Sequence, residues 1–574
     1  MGLGFRDTGR PGQVTLQSPL GAATPDEQAS SPDEAQKRHG WRRWLLWSAA
    51  LVLLIAGGIV ALVVLMWPRV VLKAGQSELA SLSERGGVQI ASIRATDGGH
   101  AVALVERGSN LAPVSPVAPG GTVVVNVVAR TPRWISWLAG NEVRAAVSVP
   151  VPTSPALASP VATARPGNRV VARFATSVLL VDWSAGGASH QLDLPTPSRS
   201  VQLPIVLGTD STGITEISAS RYTWEAPGSP VPLPYFASRG LVAIVTPTVG
   251  TTVLSPQAPL RIFLSRPVAA AFGQRLPSLD VAKLHTGPSG HWVQPNPYTL
   301  EFEPAAGSLW PGQQLKITLP GPVEIASGGK LIQTSTITYN MPRGSQTRLQ
   351  QLLGALDYLP LNWTPSSPAQ GTVVSLGEQV ALAYSAPAGN FSWRWAPPAR
   401  LAALWSPGVD NVMTQGAVKA FENTAGLDPV GQANPLLWPY LANAVNAGKV
   451  NPYGYNWADV SKALPEHIVL YHNGAVALQA LVNTGIPLDP TVDGTYPVYL
   501  RYQSQTMRGT NPNGTHYADF VRWVSYFNGG NAVHGFVRAS YGFPQSLGCV
   551  ELPFATAQLA WPYLHIGTLV TVHS

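Results

Sequence analysis

The chain has 574 residues, of which only 12% are charged, and it carries a formal net charge of +7. At roughly 150 residues per domain, this length predicts several domains. The 55 glycines and 53 prolines follow no collagen-like period, and this composition favours β-rich modules joined by turns over helical bundles. No basic cluster with interleaved aromatic residues recurs on a folded segment, which argues against nucleic acid as a partner and leaves an anionic cell envelope as the better match for the basic charge.

The N-terminal part of the chain predicts a tail followed by a membrane anchor. Residues 1–40 are polar, lack an apolar period and predict a disordered tail. Residues 44–67 contain no charge over 24 positions (67 − 44 + 1), which is long enough to cross a bilayer. A cleaved signal peptide is the alternative, but the apolar stretch is long for one and no small-x-small motif follows it closely.

The charges around this stretch predict its orientation. Basic residues crowd its N-terminal side: Lys37, Arg38, Arg42 and Arg43. Fewer follow it, namely Arg69 and Lys73. By the positive-inside rule, the tail is therefore cytoplasmic and the rest of the chain lies outside the membrane. We expect a single-pass protein of the cell membrane whose remaining domains face the cell wall.

The region from residue 75 to 342 reads as β-structure. Over 75–240, short apolar runs separated by Pro and Gly predict one or more β-sandwich modules. The run 122–128 predicts a buried strand, and 170–183 predicts two paired strands. The stretch 241–342 shows clear alternation and resembles the bacterial immunoglobulin-like modules of surface proteins, which implies a spacer. No cluster of His, Cys, Asp and Glu suggests a metal site in these modules.

Near residue 346 the apolar period changes from two to that of a helix. One stripe runs at i, i+3, i+4 and i+7, namely Leu349, Leu352, Leu353 and Leu356. A second helix begins near Thr414 and stops at Gly426, and a third contains Trp438 and Leu441. Over 346–445 these helical segments resemble a peptidoglycan-binding helical domain, with a 50-residue insertion at 364–413 (413 − 364 + 1). A helical linker that only positions the next domain is the alternative.

The stretch from His534 to Leu552 contains the chain's single cysteine, Cys549. His534 lies 15 positions upstream (549 − 534), and Gly548 directly precedes the thiol. A lone cysteine is commonly a small buried apolar residue. A free thiol has a pKa of about 8.5 and is mostly protonated at neutral pH, but a neighbouring imidazole can accept its proton. The pair is therefore the minimal equipment of a cysteine nucleophile.

The surrounding pattern is again β. Residues 468–482 predict two strands joined by a turn at Asn473-Gly474, and 567–572 predicts a closing strand. Over 465–574 the order of short sequence motifs resembles that of the L,D-transpeptidase catalytic domain of the YkuD type. The matching motifs are Gln479 to Gly485, Thr491 to Tyr496, His534-Gly535, Ser546-Leu-Gly-Cys-Val-Glu-Leu552 and Gly567-Thr-Leu-Val570.

This resemblance implies a mechanism with no cofactor and no metal. Cys549 would be the nucleophile and His534 the general base and acid. Backbone N–H groups around Gly548 would bind the oxyanion, and Ser546 would support the loop. The thiol would attack a diaminopimelate–D-Ala bond of a tetrapeptide stem, and a second stem would resolve the thioester as a 3→3 cross-link.

The resemblance also implies substrate-binding positions. Met507 and Tyr517 match pocket positions of the family, and Gly535 and Arg538 are further candidates. Leu547 and Glu551 depart from the family's usual His and its usual Arg or Asn.

The predicted whole is a multidomain, mainly β protein whose partners are the membrane, peptidoglycan stem peptides and glycan. A catalytically degenerate wall-binding anchor or scaffold is the alternative, and the oligomeric state is left open.

Overall fold

The structure is a computed structural model that describes residues 39–237, 240–249, 256, 259–281, 288–332, 334–367 and 375–574. The tail predicted over residues 1–40 lies outside these described residues except for its last two. The chain divides into two compact units, Met1–Val151 and Pro152–Ser574, and each is described by itself. The architecture is mainly β, as predicted.

The first unit begins with a long apolar helix, α1 (His39–Leu65). Within it, Leu46–Leu65 covers 20 residues with a mean hydropathy of 2.8, and none of this window is buried in the protein. At 1.5 Å per residue, these residues extend about 30 Å, the thickness of a hydrocarbon core. A helix is therefore present where 44–67 predicts one, and it ends at Leu65.

Two four-stranded sheets make up the rest of the first unit. Their strands are β1 (Arg69–Ala74), β2 (Ala80–Arg85), β3 (Gln89–Asp97), β4 (His100–Val102), β5 (Leu104–Arg107), β6 (Asn110–Pro113), β7 (Thr122–Arg130) and β8 (Glu142–Pro150). The strand orders are β1-β2-β6-β5 and β4-β3-β7-β8. In β7, Val123, Val125 and Val127 are buried and alternate with more exposed residues, which confirms the strand predicted there. A short helix, α2 (Arg133–Ala139), connects β7 to β8.

The second unit opens with a five-stranded sheet of order β11-β10-β12-β13-β9. Its strands are β9 (Ala162–Ala164), β10 (Arg169–Ala185), β11 (Ala188–Val206), β12 (Thr212–Ser220) and β13 (Val231–Ala237). The prediction that 170–183 forms two paired strands is wrong, because β10 runs through it as a single strand and pairs with β11 instead. The register of this pairing shifts between Arg173 and Val178, so the ladder is irregular there although the strand continues.

In the described parts of 240–340, nine strands follow, and they form one sheet of six and one of three. They are β14 (Val242–Thr246), β15 (Leu260–Leu264), β16 (Ser278–Val281), β17 (Gly290–Asn296), β18 (Thr299–Pro304), β19 (Gln314–Thr318), β20 (Glu324–Ser327), β21 (Lys330–Ile332) and β22 (Thr336–Asn340). A short helix, α3 (Val268–Phe272), follows β15. One buried cluster joins Ile262 and Leu300 of the larger sheet to Leu315 and Ile337 of the smaller, so the two sheets pack as a sandwich. Likeness to immunoglobulin modules stays a prediction.

The helical region contains α4 (Gln346–Ala355), β23 (Leu361–Pro365), α5 (Leu376–Tyr384), β24 (Gly389–Trp393), α6 (Ala399–Ala402), α7 (Val412–Thr424) and α8 (Leu437–Asn446). The three predicted helices are confirmed as α4, α7 and α8. Ser345 and Asn411 accept backbone N–H bonds at the starts of α4 and α7, and Gly426 follows α7 with a φ of +72°. The described part of the insertion contains α5, β24 and α6, and β24 pairs antiparallel with β23, which begins just before the insertion.

The C-terminal region contains two further sheets, with orders β27-β26-β25-β33-β28 and β29-β30-β31-β32. The strands are β25 (Asn456–Ser461), β26 (His467–His472), β27 (Ala475–Leu481), β28 (Gly494–Pro497), β29 (Leu500–Thr510), β30 (His516–Asn528), β31 (Asn531–Gly535), β32 (Val550–Leu552) and β33 (Leu569–His573). A helix, α9 (Phe554–Ala560), follows β32. The Asn473-Gly474 turn is confirmed, with positive φ at both residues.

The predicted domain start at residue 465 leaves out β25, which is the middle strand of its sheet. The helical region also shares one buried cluster with this sheet, because Trp457 and Leu569 belong to the same cluster as Leu353 and Phe421. A Cβ placed on Gly567 would lie 2.3 Å from the carbonyl oxygen of Gly416 in α7, so the two backbones touch. The helical region and the C-terminal sheets are therefore packed as one body within the second unit.

Candidate active site

The parallel strands β31 and β32 bring the histidine and the cysteine of the sequence motif to one place. His534 on β31 pairs in register with Glu551 on β32, and Cys549 lies two residues before Glu551. Residues two apart along a strand face the same side of the sheet. Accordingly, all three side chains line one cleft of ≈ 580 Å³.

The cleft also brings together several residues predicted to bind substrate. Met507 of β29 and Tyr517 of β30 line it, as does Arg538 from the loop after β31. Gly535 is not among the lining residues of the described chain. Its backbone instead packs on α9, since a Cβ there would lie 2.6 Å from the Phe554 ring. The structure therefore accounts for Gly535 by packing, and its predicted role in substrate binding has no support from the cleft.

The thiol of Cys549 lies under the cleft surface, with 8% of the residue exposed. Its Sγ donates to the carbonyl oxygen of Gly530 at 3.7 Å, and its apolar neighbours include Val521 and Val524. Burial raises the pKa of the thiol to about 12, and the nearby carboxylates of Glu551 and Asp489 also raise it, whereas a hydrogen bond with the Ala532 backbone lowers it. The resting thiol is therefore protonated at neutral pH.

The imidazole of His534 is 3% exposed. Its Nδ1 lies 3.2 Å from the carbonyl oxygen of Gly535. Because a carbonyl oxygen only accepts, Nδ1 carries the proton in this bond, and Nε2 of the neutral ring is left as the acceptor. Burial lowers the pKa of the ring, although the bond to the Gly535 backbone and the charge of Glu551 oppose this effect. The ring is therefore neutral and able to take a proton.

The loop before the nucleophile is held by hydroxyl groups and by a glycine. Ser546 Oγ donates to the carbonyl oxygen of Cys549 at 2.6 Å, and Thr491 Oγ1 donates to the same oxygen at 3.4 Å. Gly548 has a φ of +92°, and a Cβ there would lie 2.5 Å from Nδ2 of Asn531. Only glycine fits this backbone without strain. Sequence reasoning missed the parts played by Thr491 and Asn531, because neither belongs to the motif around the cysteine.

Arg538 and Glu551, which lie beside the cysteine, form a bidentate ion pair. Nε and Nη2 of Arg538 each donate to one carboxylate oxygen of Glu551 at 2.8 Å. The guanidinium lies over the Phe536 ring at 4.7 Å and also donates to the Gln545 carbonyl at 3.3 Å. The side chain of Glu551 is 6% exposed and that of Arg538 is 30% exposed. The pair therefore ties the loop after β31 to β32, and the predicted substrate contact of Arg538 would compete with Glu551.

Further lining residues were not among the sequence candidates. Asp519 lies two residues after Tyr517 on β30, so the strand period alone places both on the cleft side. Leu547 lines the cleft at the motif position where the family usually has a second histidine, so this wall is apolar. Within the described ranges, no group of three or more His, Cys, Asp and Glu residues is arranged to hold a metal ion.

Comparison with known proteins supplies the family of the C-terminal domain. The family model described as the YkuD L,D-transpeptidase catalytic domain matches residues 455–572, which includes β25 and begins ten residues before the predicted start (465 − 455). Residues 455–572 are an L,D-transpeptidase catalytic domain. No curated protein matches the chain.

Solved L,D-transpeptidase structures are among the similar chains. The catalytic domain from Enterococcus faecium is 26% identical, covering 21% of this chain and 96% of its own, with a TM-score of 0.19. The enzyme from Mycobacterium smegmatis is 13% identical, covering 58% of this chain and 100% of its own, with a TM-score of 0.20. L,D-transpeptidase 3 from Mycobacterium tuberculosis, bound to a faropenem-derived adduct, is 11% identical and covers 57% and 97%, with a TM-score of 0.20. At these TM-scores the superpositions carry no weight of their own, and the assignment rests on the family match.

Proposed function

We propose that this protein is a membrane-anchored L,D-transpeptidase that forms 3→3 cross-links in peptidoglycan through a thioester on Cys549. The observation that carries the proposal is that Cys549 and His534 line the same cleft of an L,D-transpeptidase domain. The substrate class follows from the family. The choice of nucleophile follows from Cys549 being the chain's one cysteine.

The first half-reaction would begin from two neutral groups. As Sγ of Cys549 attacks the carbonyl carbon of the diaminopimelate–D-Ala bond, Nε2 of His534 accepts the thiol proton. The developing oxyanion is met by backbone N–H groups around Gly548 and Cys549, where the lack of a Cβ allows close approach. The amide C–N bond then breaks, and the imidazolium returns its proton to the departing D-Ala amine. A thioester remains on Cys549.

In the second half-reaction, the side-chain amine of another stem would attack the thioester carbonyl. His534 accepts the amine proton and then returns one to the leaving thiolate, so the residue acts alternately as base and acid. A new amide bond forms, and the free thiol is restored. The energy of the original amide is kept in the thioester, so the exchange needs no ATP.

The rest of the chain would position this domain. The apolar helix α1 would cross the cell membrane with the N-terminus in the cytoplasm, as the flanking basic residues predict. The β-modules would act as a stalk, and the helical region would contact glycan. All of these roles are part of the proposal.

The test is a reaction of the full-length protein with purified disaccharide-tetrapeptide, read by tandem mass spectrometry. We expect a dimer joined through the third residues of both stems, with release of one D-Ala per link. Cys549→Ala should abolish the dimer while the protein stays folded, as a cooperative thermal unfolding transition would show. If Cys549→Ala retains cross-linking, the mechanism is wrong. If the native protein binds peptidoglycan but forms neither dimer nor acyl-enzyme, the wall-binding anchor is the correct alternative.

A further inference from the structure

The short helix α2 of the first unit turns its apolar side outward. Trp134, Trp137 and Leu138 are 53%, 81% and 51% exposed, whereas Ile135 is buried. The three exposed residues stand at i, i+3 and i+4, so they form one face of the helix. A globular protein normally buries such a stripe, and an exposed contiguous apolar patch marks an interaction site.

This face lies at the end of the module where α1 stops. Strand β1 begins with Arg69, four residues after α1, and Arg69 pairs with Arg85 at the end of β2. The first residue of β3 pairs with Arg130 at the end of β7, and Arg130 pairs with Glu142 at the start of β8. Because α2 joins β7 to β8, it projects from that same end of its sheet.

Direct contacts support this placement. The turn at Gly86-Gly87 follows β2, and a Cβ on Gly86 would lie 2.5 Å from the carbonyl oxygen of Met66 and 2.8 Å from Pro68. A Cβ on Gly87 would lie 3.5 Å from Cγ of Pro132, the residue that precedes α2. A single turn therefore touches both the segment that leaves α1 and the start of α2.

The charge and the side-chain chemistry at this end suit a lipid surface. Arg69, Arg85, Arg130 and Arg133 are exposed there. Among the acidic residues at this end, Glu142 is paired with Arg144 at 3.1 Å and Glu84 is exposed beside Arg85, so the surface stays basic. Basic side chains are attracted to lipid phosphates. Tryptophan favours the interface between headgroups and acyl chains, where its ring is apolar and its N–H is polar. The indole N–H of Trp137 already donates to the Trp134 carbonyl oxygen at 3.1 Å, which lowers the cost of burying it.

We propose that Trp134, Trp137 and Leu138 form a membrane-docking face that inserts into the headgroup region of the leaflet beside the end of α1. This proposal rests on α1 being the membrane anchor. Two attachments, one spanning and one interfacial, would fix the tilt of the first module on the membrane more firmly than one attachment. The face belongs to the first unit alone and has no part in the proposed chemistry.

The test uses the full chain in phospholipid vesicles that contain anionic lipid. In a Cys549→Ser background, Trp137→Cys provides one position for an environment-sensitive fluorophore, and Val114→Cys provides the matched control. Val114 is 64% exposed and follows β6 at the opposite end of its sheet, since Leu111 pairs with the first residue of β2. We expect a lipid-borne nitroxide to quench the label at position 137 at least twofold more than the label at 114, and aqueous iodide to show the reverse order.

Adding Trp134→Ser and Leu138→Ser should halve the lipid quenching at position 137. Equal quenching at both positions would overturn the proposal. Protection of position 137 from both quenchers would also overturn it, and would indicate a protein or glycan cover. Flotation after alkaline extraction tests the anchor separately. A chain that is extracted from the vesicles disproves the anchor, whereas a chain that floats with unequal quenching supports both.

Discussion

The proposed catalytic cleft and the proposed membrane-docking face differ in how far their main side chains are exposed to water. The cleft keeps its reactive groups from water, with Cys549 8% and His534 3% exposed, whereas Trp137 is 81% exposed. Each buried group in the cleft is accounted for by neighbours within the chain, such as the carbonyls of Gly530 and Gly535. Within the described residues, Trp137 makes only the local bond to the Trp134 carbonyl oxygen, and we propose that a lipid surface covers its ring. Substituting residues around the cleft tests whether the reactivity of the Cys549 thiol depends on these neighbours.

Removing the imidazole should have the largest effect. In His534→Gln the side chain can still donate to the Gly535 carbonyl, but it cannot accept a proton from the thiol. We expect the rate of cross-link formation to fall by about 10²–10⁴-fold, the usual contribution of a general base. The rate is measured as dimer formed from tetrapeptide substrate, with thermal unfolding as the control for folding. A loss of less than about tenfold would remove His534 from the mechanism.

The glycine before the nucleophile should be the next most sensitive position. Gly548→Ala places a Cβ against Asn531 and forces a residue with a side chain to a φ of +92°. The expected cost is about 1–3 kcal/mol of folding free energy. Displacement of the nucleophile should lower the rate by about 100-fold. Gly530→Ala is the matched control, because a Cβ there meets nothing within 4 Å.

Asn531→Gly in the Gly548→Ala background separates the two causes of this loss. It removes the side chain that the new Cβ would meet, but it leaves the unfavourable φ in place. We expect partial recovery of both stability and rate. Full recovery would show that the contact alone matters, and equal losses in Gly548→Ala and Gly530→Ala would contradict the special role of Gly548.

Breaking the ion pair should have a moderate effect. Arg538→Met leaves the carboxylate of Glu551 buried without its partner, and removing one member of a fully buried pair costs about 3–5 kcal/mol. Because Arg538 is 30% exposed, we expect about 1–2 kcal/mol here. The measurement is the shift in thermal unfolding. The double variant Arg538→Met/Glu551→Gln removes the unpaired charge and should recover most of the loss; if it is as unstable as the single variant, the pairing is not the source of the effect.

Alkylation of the Cys549 thiol should be slow at neutral pH and should accelerate as the pH rises. Burial raises the pKa of Cys549 to about 12, so the reactive thiolate is the minor form well above neutrality. Reaction with iodoacetamide should therefore accelerate about tenfold for each pH unit between roughly pH 7 and 10. A plateau below about pH 8 would instead mean that the imidazole holds a thiolate in the resting state. Cys549→Ser corrects for reaction at other groups.

The same raised pKa affects stability. The unfolded thiol ionises near its ordinary pKa of about 8.5, whereas the folded thiol stays protonated up to about pH 12. The unfolded chain therefore loses this proton first as the pH rises. The stabilising contribution of the protonated thiol is complete below about pH 8.5 and is lost between that value and about 12. Cys549→Ala should reduce the alkaline loss of stability.

Local patterns in the sequence predicted the parts of the fold that are determined locally. The leucine stripe of α4 and the Asn473-Gly474 turn depend only on residues a few positions apart. The sequence motif also placed His534 and Cys549 on the elements that line the cleft. The roles of these two residues stay predictions.

Features that depend on distant contacts were missed. Strand β25 was overlooked because its sequence, Asn-Trp-Ala-Asp-Val-Ser, is neither alternating nor continuously apolar, although nearly all of the strand is buried. The Arg538–Glu551 pair joins a loop to a strand, and the contact at Gly548 depends on the side chain of Asn531, 17 positions upstream (548 − 531), lying against the backbone. The outward face of α2 was missed for another reason, since an apolar stripe does not reveal which side of its helix meets solvent.

The shared packing of the helical region and the C-terminal sheets has a consequence for transferring the C-terminal domain to another protein. A fragment cut at residue 455, where the family likeness begins, would strip the neighbours from Trp457 and Leu569 and uncover Gly474, over which the Trp395 ring sits. The aromatic surface exposed to solvent in this fragment would favour aggregation before its activity could be assayed. A chimera that contains the chain from α4 onward keeps those surfaces buried. The fragment that can be transferred is therefore defined by packing, and it is larger than the region matched by the family.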